Sequence, residues 1–95
     1  MRDKLLQIIN RYGIEHQQRK LEEEVFELQE AITIFENTDF GNCNRLIFVK
    51  DILEEFTDVK VMLEQIKLFY ELNDKRIEEL MQFKVDRQLE RIEKE

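Results

Sequence analysis

The 95-residue chain is expected to be all-α: a four-helix bundle built around two long antiparallel helices. Three observations predict this class. Proline is absent and glycine occurs only twice, so almost nothing interrupts helical backbone. Apolar residues recur at spacings of three and four over two long stretches, the period of a helix with one buried face. Turn-forming residues cluster at only a few places, and those places separate the periodic stretches. The same scarcity of turn residues excludes a β-sandwich or a small barrel. The length fits a single domain over residues 1–95.

The first helix is expected over about 2–12, where Leu5, Leu6, Ile8 and Ile9 are spaced for one face. Tyr12-Gly13 ends it. The second runs over about 14–36 and carries Leu21, Val25, Leu28, Ile32 and Phe35, a core-facing stripe. Residues 37–44 read Asn-Thr-Asp-Phe-Gly-Asn-Cys-Asn, the strongest loop signal in the chain. The third helix follows over about 45–72, with Val49, Ile52, Phe56, Val59, Leu63, Ile66 and Tyr70 as its stripe. A short loop between two long helices predicts an antiparallel pair. Asn73-Asp74 can end that helix and cap the next. The fourth helix, over about 74–93, is charged nearly all round, with Ile77, Leu80, Met81, Val85, Leu89 and Ile92 as its apolar content. It is expected to pack on the hairpin.

Composition narrows the function. Fifteen basic and twenty-two acidic residues give a formal charge of −7, which disfavours a nucleic-acid binder that neutralises phosphates. No apolar run approaches the roughly 20 residues of a membrane span, and the first residues lack the apolar core of a signal peptide. The lone Cys43 has no partner for a disulfide and no zinc framework around it, so a reducing cytoplasm is the expected setting. A chain this short buries a modest fraction of its surface, and association between copies would help it.

The acids on the two long helices do not all sit where solvated acids should. At about 100° per residue, Glu24 lies about 60° from Leu21 and about 40° from Leu28, at the border of the apolar stripe. Glu27 follows three residues on, along the same face. Glu55 falls inside the apolar arc of the third helix, and Asp58 lies about 60° further round. Antiparallel packing near these positions would bring four carboxylates together. Such a cluster is costly unless a cation occupies it, and oxygen-only ligands suit Mg²⁺ or Mn²⁺. Acidic helix faces are also commonly just solvated and paired with lysines one turn away.

Glu23-Glu24-Val25-Phe26-Glu27 is a Glu-Glu-x-x-Glu motif, and Glu55-Phe56-Thr57-Asp58 is a Glu-x-x-Asp motif. With Gly13, Gln17, Lys20 and Leu21 ahead of the first, and Leu28, Ala31 and Ile32 after it, the pair resembles the MazG-like all-α nucleoside triphosphate pyrophosphohydrolases. Val59, Met62 and Leu63 extend the likeness, which covers about residues 12–70. The resemblance implies hydrolysis of a (deoxy)nucleoside triphosphate to monophosphate and pyrophosphate in a homo-oligomer, a dimer or tetramer. It implies Glu24, Glu27, Glu55 and Asp58 as Mg²⁺ ligands, Mn²⁺ being the alternative ion. Glu23 would neighbour the ligands or orient the attacking water, so the catalytic set is Glu23, Glu24, Glu27, Glu55 and Asp58.

Basic residues should meet the phosphates. Lys84, Arg87 and Arg91 are spaced to line one face of the fourth helix, and arginine forks match phosphate oxygens. Ordinary pairing with Asp86, Glu90 or Glu93 is the other reading. Lys20 lies between Glu24 and Glu27 in angle and can bind phosphate or simply neutralise the acids. His16 could touch a base or phosphate, and Tyr12, Phe26, Phe40 or Phe48 could stack on a base, although phenylalanines of a helical chain mostly pack. The single histidine excludes a di-iron site with two Glu-x-x-His motifs. Two other readings stay open: an acidic helical interaction module, and a catalytically inactive relative that binds nucleotide or metal.

Overall fold

A computed structural model describes residues 1–41 and 44–95. Four helices follow one another: α1 (Arg2–Tyr12), α2 (Ile14–Glu36), α3 (Arg45–Phe69) and α4 (Asp74–Glu93). No strand occurs among the described residues, and no described helix is long and apolar enough to cross a membrane. Cys43 lies outside the described residues.

Each break has a local cause. Gly13 adopts φ 84° and ψ 157°, a backbone state open to little but glycine, and serves as both the end of α1 and the start of α2. Asn44 caps α3 by accepting a hydrogen bond from the Leu46 amide at 2.9 Å, and Asn73 caps α4 by accepting from the Arg76 amide at 2.9 Å. α3 ends at Phe69, three residues earlier than its stripe suggests. There the Leu72 amide donates to the Lys67 carbonyl and the Glu71 amide to the Leu68 carbonyl. This is the paired closure that needs one left-handed residue, and Glu71 supplies it at φ 54°.

α2 and α3 are antiparallel: Gln17 meets Gln65 at one end, and at the other Phe40 packs between Phe35, tilted, and Phe48, edge-on. α1 packs on both of them, burying Leu5 and Ile9. The core is small. Besides those two residues, the buried side chains are Met62, Gln17, Glu24 and Gln65.

Two expectations need correction. α4 does not pack on the hairpin: among the described residues its backbone comes close to no other helix, and it buries none of its own residues. A salt bridge from Lys67 to Asp74, 2.7 Å long, ties its first residue to the end of α3. The α3 stripe also divides. Ile52, Val59 and Ile66 are partly covered, whereas Val49, Phe56 and Leu63 are exposed, and Tyr70, also exposed, accepts a hydrogen bond from the Gln18 amide of α2 at 3.4 Å.

Candidate metal centre

The acids stand in the middle of the hairpin. α2 brings Glu24 inward, 7% exposed, because it borders the stripe that packs on α3. α3 brings Glu55, half-buried, and Asp58, exposed, from one side of its inward face. One oxygen from each of Glu24, Glu55 and Asp58 lies within 4.8 Å of the other two. Glu24 Oε2 and Glu55 Oε2 are both buried with no hydrogen-bond partner. Buried carboxylate oxygens are ordinarily hydrogen-bonded or bound to a cation, so the pair is an unmet demand for a donor or a cation. Three oxygen donors at this spacing could hold a hard cation.

Lys20 answers part of that demand. Its ammonium lies 3.2 Å from Glu24 Oε1 and 3.5 Å from Glu23 Oε2. The hydrogen bond to Glu24, first, and then the attraction of the two carboxylates hold its pKa above the ordinary 10.5. Lys20 binds Glu24 through the oxygen that is not orphaned, which leaves Oε2 directed elsewhere.

Glu27 is not within the three-carboxylate cluster. It is exposed and lines the adjoining open cavity of about 360 Å³ together with Glu30, Phe48, Asp51 and Glu55. Glu23 is turned toward Lys20 and a second hollow of about 510 Å³ bounded by Tyr12, His16, Gln17 and Gln65. Tyr12 and His16 stack there with ring centroids 5.0 Å apart. Phe40 and Phe48 pack on each other at the loop end of the hairpin, while Phe26 stands exposed on α2. Thr57, between Glu55 and Asp58 in sequence, donates its hydroxyl back to the Leu53 carbonyl at 2.7 Å.

Lys84, Arg87 and Arg91 are not brought to Glu24, Glu55 and Asp58 of their own chain, because α4 packs on neither α2 nor α3 and is tied to α3 through its first residue, Asp74. The Arg87 guanidinium lies over the Phe83 ring at 5.8 Å.

Sequence reasoning missed the buried amides. Gln17 and Gln65 are 4% and 1% exposed, and the Gln17 amide donates to Gln65 Oε1 at 2.7 Å. His16 Nδ1 lies 2.8 Å from Gln17 Oε1, continuing the chain. A signal existed: Gln17 falls about 40° from Leu21, inside the apolar arc, where an unpaired polar residue would be costly.

Compared with known proteins, the chain matches no family model, no curated protein and no solved structure.

Proposed function

We propose that the chain is a Mg²⁺-dependent hydrolase that converts a (deoxy)nucleoside triphosphate to its monophosphate and pyrophosphate, Mn²⁺ being able to replace Mg²⁺. Its assignment to the MazG-like family rests on the two motifs. The observation that carries the reading is the cluster of Glu24, Glu55 and Asp58, one oxygen of each within 4.8 Å of the others, in which Glu24 and Glu55 each also bury an unpartnered oxygen. Cation binding would satisfy acid oxygens placed this way.

In this reading Glu24, Glu55 and Asp58 hold the ion, and Glu27 completes the set from the cavity wall. When bound, the ion lowers the pKa of a water and withdraws charge from the phosphoryl oxygens. The chain's own residues do the rest. Lys20 fixes Glu24 by one oxygen and so aims the other. It also holds Glu23, whose carboxylate can orient a water and take its proton. The open cavity beside Glu27 and Glu55 admits a polyphosphate. A triphosphate and an acidic protein repel each other, so the cation must mediate their contact. Lys84, Arg87 and Arg91 are phosphate ligands in this reading only where α4 approaches a site. The enzyme works as a homo-oligomer, in the cytoplasm.

The uncovered apolar residues of α3 and α4 favour a second reading, a helical interaction module without chemistry. One experiment separates the two: pyrophosphate release from a panel of ribo- and deoxyribonucleoside triphosphates with Mg²⁺, with Mn²⁺ and with chelator. Metal-dependent release that Glu55→Gln abolishes, with helicity kept, is the expected result. No release and no divalent binding would leave the interaction module.

A further inference from the structure

The hollow of about 510 Å³ next to Lys20 is lined by a surplus of hydrogen-bond donors. Gln17 and Gln65 are among its most buried lining residues, and the direction of their hydrogen bonds is fixed. The Gln65 amide nitrogen lies 3.8 Å from the Met62 sulfur, and a thioether can accept but never donate. Gln65 Oε1 therefore points the other way and accepts from Gln17 Nε2 at 2.7 Å. Gln17 Oε1 in turn accepts from His16 Nδ1 at 2.8 Å. Both amide oxygens are thereby engaged. Each amide also carries two N–H donors. Among the described residues these donors reach one carbonyl oxygen and one thioether sulfur, a weak acceptor. What is left over on this wall is all donor.

The same hollow has an aromatic wall. Tyr12 and His16 stack with ring centroids 5.0 Å apart and planes 20° apart. Tyr12 is 56% exposed, so a further flat ring can extend the stack. Lys20 borders the hollow and also lies 3.2 Å from Glu24, which joins this space to the acids. Along α2, Gln17 and Glu24 are about 10 Å apart, room for a sugar and its first phosphate.

We propose that this hollow takes the base of the triphosphate, an inference that rests on the hydrolase reading above, and that its donors select a base whose edge carries a carbonyl oxygen: uracil, thymine, guanine or hypoxanthine. The ring lies on the Tyr12–His16 stack, and the carbonyl oxygen accepts from the amide N–H groups that have no good partner. Adenine and cytosine carry an amino group at the corresponding place, so donor would face donor. A buried donor left unanswered separates the two classes of base by about 10–100-fold.

Two measurements on the full chain test this. Pyrophosphate release from dUTP, dTTP, dGTP, dATP and dCTP gives kcat/KM for each base. ¹⁵N-labelled protein in chelator, titrated with deoxyuridine or deoxyadenosine, reports the side-chain amide signals without any turnover. The expected result is a preference of about 10–100-fold for the carbonyl-edged bases, with Gln65 amide signals that move with deoxyuridine and stay with deoxyadenosine. Replacing both amides together, Gln17→Met with Gln65→Met, should abolish the preference. A slipped hairpin would slow every base alike, so the ratio between bases separates recognition from alignment. Tyr12→Leu, at an exposed position, should weaken all bases by about 10-fold and keep the ratio. Where the double variant fails to fold, the amide titration of the parent and Tyr12→Leu decide the matter. Amide signals that neither nucleoside moves or that both move alike, faster turnover of the amino-edged bases, or a preference that survives loss of both amides overturns the proposal. Amides that respond to deoxyuridine, with no pyrophosphate released from any triphosphate, would sink the hydrolase reading and leave a base-binding site. Turnover with unresponsive amides would do the reverse.

Discussion

A divalent cation should invert the effect of Glu55→Gln on stability. Without metal, three carboxylate oxygens lie within 4.8 Å of one another. Two like charges at that distance repel by about 1 kcal/mol even at the dielectric constant of water, and by more where solvent is partly excluded. Lys20 offsets part of this at Glu24. Glu55→Gln removes one of the charges and keeps the side chain's shape. The metal-free variant should therefore be more stable than the parent by about 1 kcal/mol, or about 4–8 °C in melting temperature for a chain of this size. Adding Mg²⁺ or Mn²⁺ reverses the order. A cation at about a hundred times its Kd stabilises the parent by about 2.7 kcal/mol, and a variant short of one ligand charge gains much less. Far-UV circular dichroism melts, with chelator and with each cation, measure both states. Protein concentration is held fixed, because association also moves the midpoint. A monovalent salt at matched ionic strength controls for general screening. A parent protein that neither cation shifts, or a variant that melts lower than the parent in chelator and cation alike, would refute the account of these acids as a cation site.

Three further outcomes follow from the backbone and the lysines. Gly13→Ala should destabilise by about 1–3 kcal/mol in urea denaturation, although nothing lies within 4 Å of the added methyl, because the cost is the φ of 84° itself. Glu71→Gly should do the opposite and raise stability by about 0.5–1 kcal/mol, since the left-handed φ of 54° that closes α3 suits glycine. Lys67 is held above pKa 10.5, chiefly by its hydrogen bond to Asp74 and then by that to Glu64, and Lys20 is held above it by Glu24 and Glu23. A lysine whose pKa is higher folded than unfolded stabilises the fold below its unfolded value and loses that contribution as pH climbs through the folded one. The stability difference between the parent and Lys67→Met should thus be constant through neutral pH and shrink above about pH 10.5, as urea midpoints across the alkaline range would reveal.

Much of the architecture was legible because its signals are local. Gly13, Asn44 and Asn73 mark helix ends by chemistry that acts within a few residues, and all three stand at a terminus. The end of α3 was misplaced because the apolar stripe continues to Tyr70 and Leu72, while the chain turns at Glu71 for reasons that periodicity does not carry. The convergence of Glu24, Glu55 and Asp58 was legible from angle and antiparallel pairing alone. Glu27's place outside that cluster was not, since a 60° difference in angle leaves open which side chains reach the centre. Nor could spacing reveal that Val49, Phe56 and Leu63 are left exposed. An apolar residue at helical period announces that something will cover it, and is silent on whether the cover belongs to the same chain. The stand-off of α4 has the same origin.

The Gln17–Gln65 hydrogen bond has a consequence beyond the polar atoms it satisfies. Gln17 precedes Glu24 by seven residues, and Gln65 follows Asp58 by seven, so the bond sits two helical turns, about 10 Å, from the acids on both strands of the hairpin. Apolar contacts tolerate sliding, whereas a 2.7 Å bond between two fully enclosed amides does not. A slip of a single residue would carry Glu24 about 1.5 Å past Glu55 and Asp58, a large step for three oxygens that lie within 4.8 Å of one another. The neutral pair thus acts as a dowel for the hairpin, and the alignment of the charged residues is inherited from two uncharged ones that never touch them.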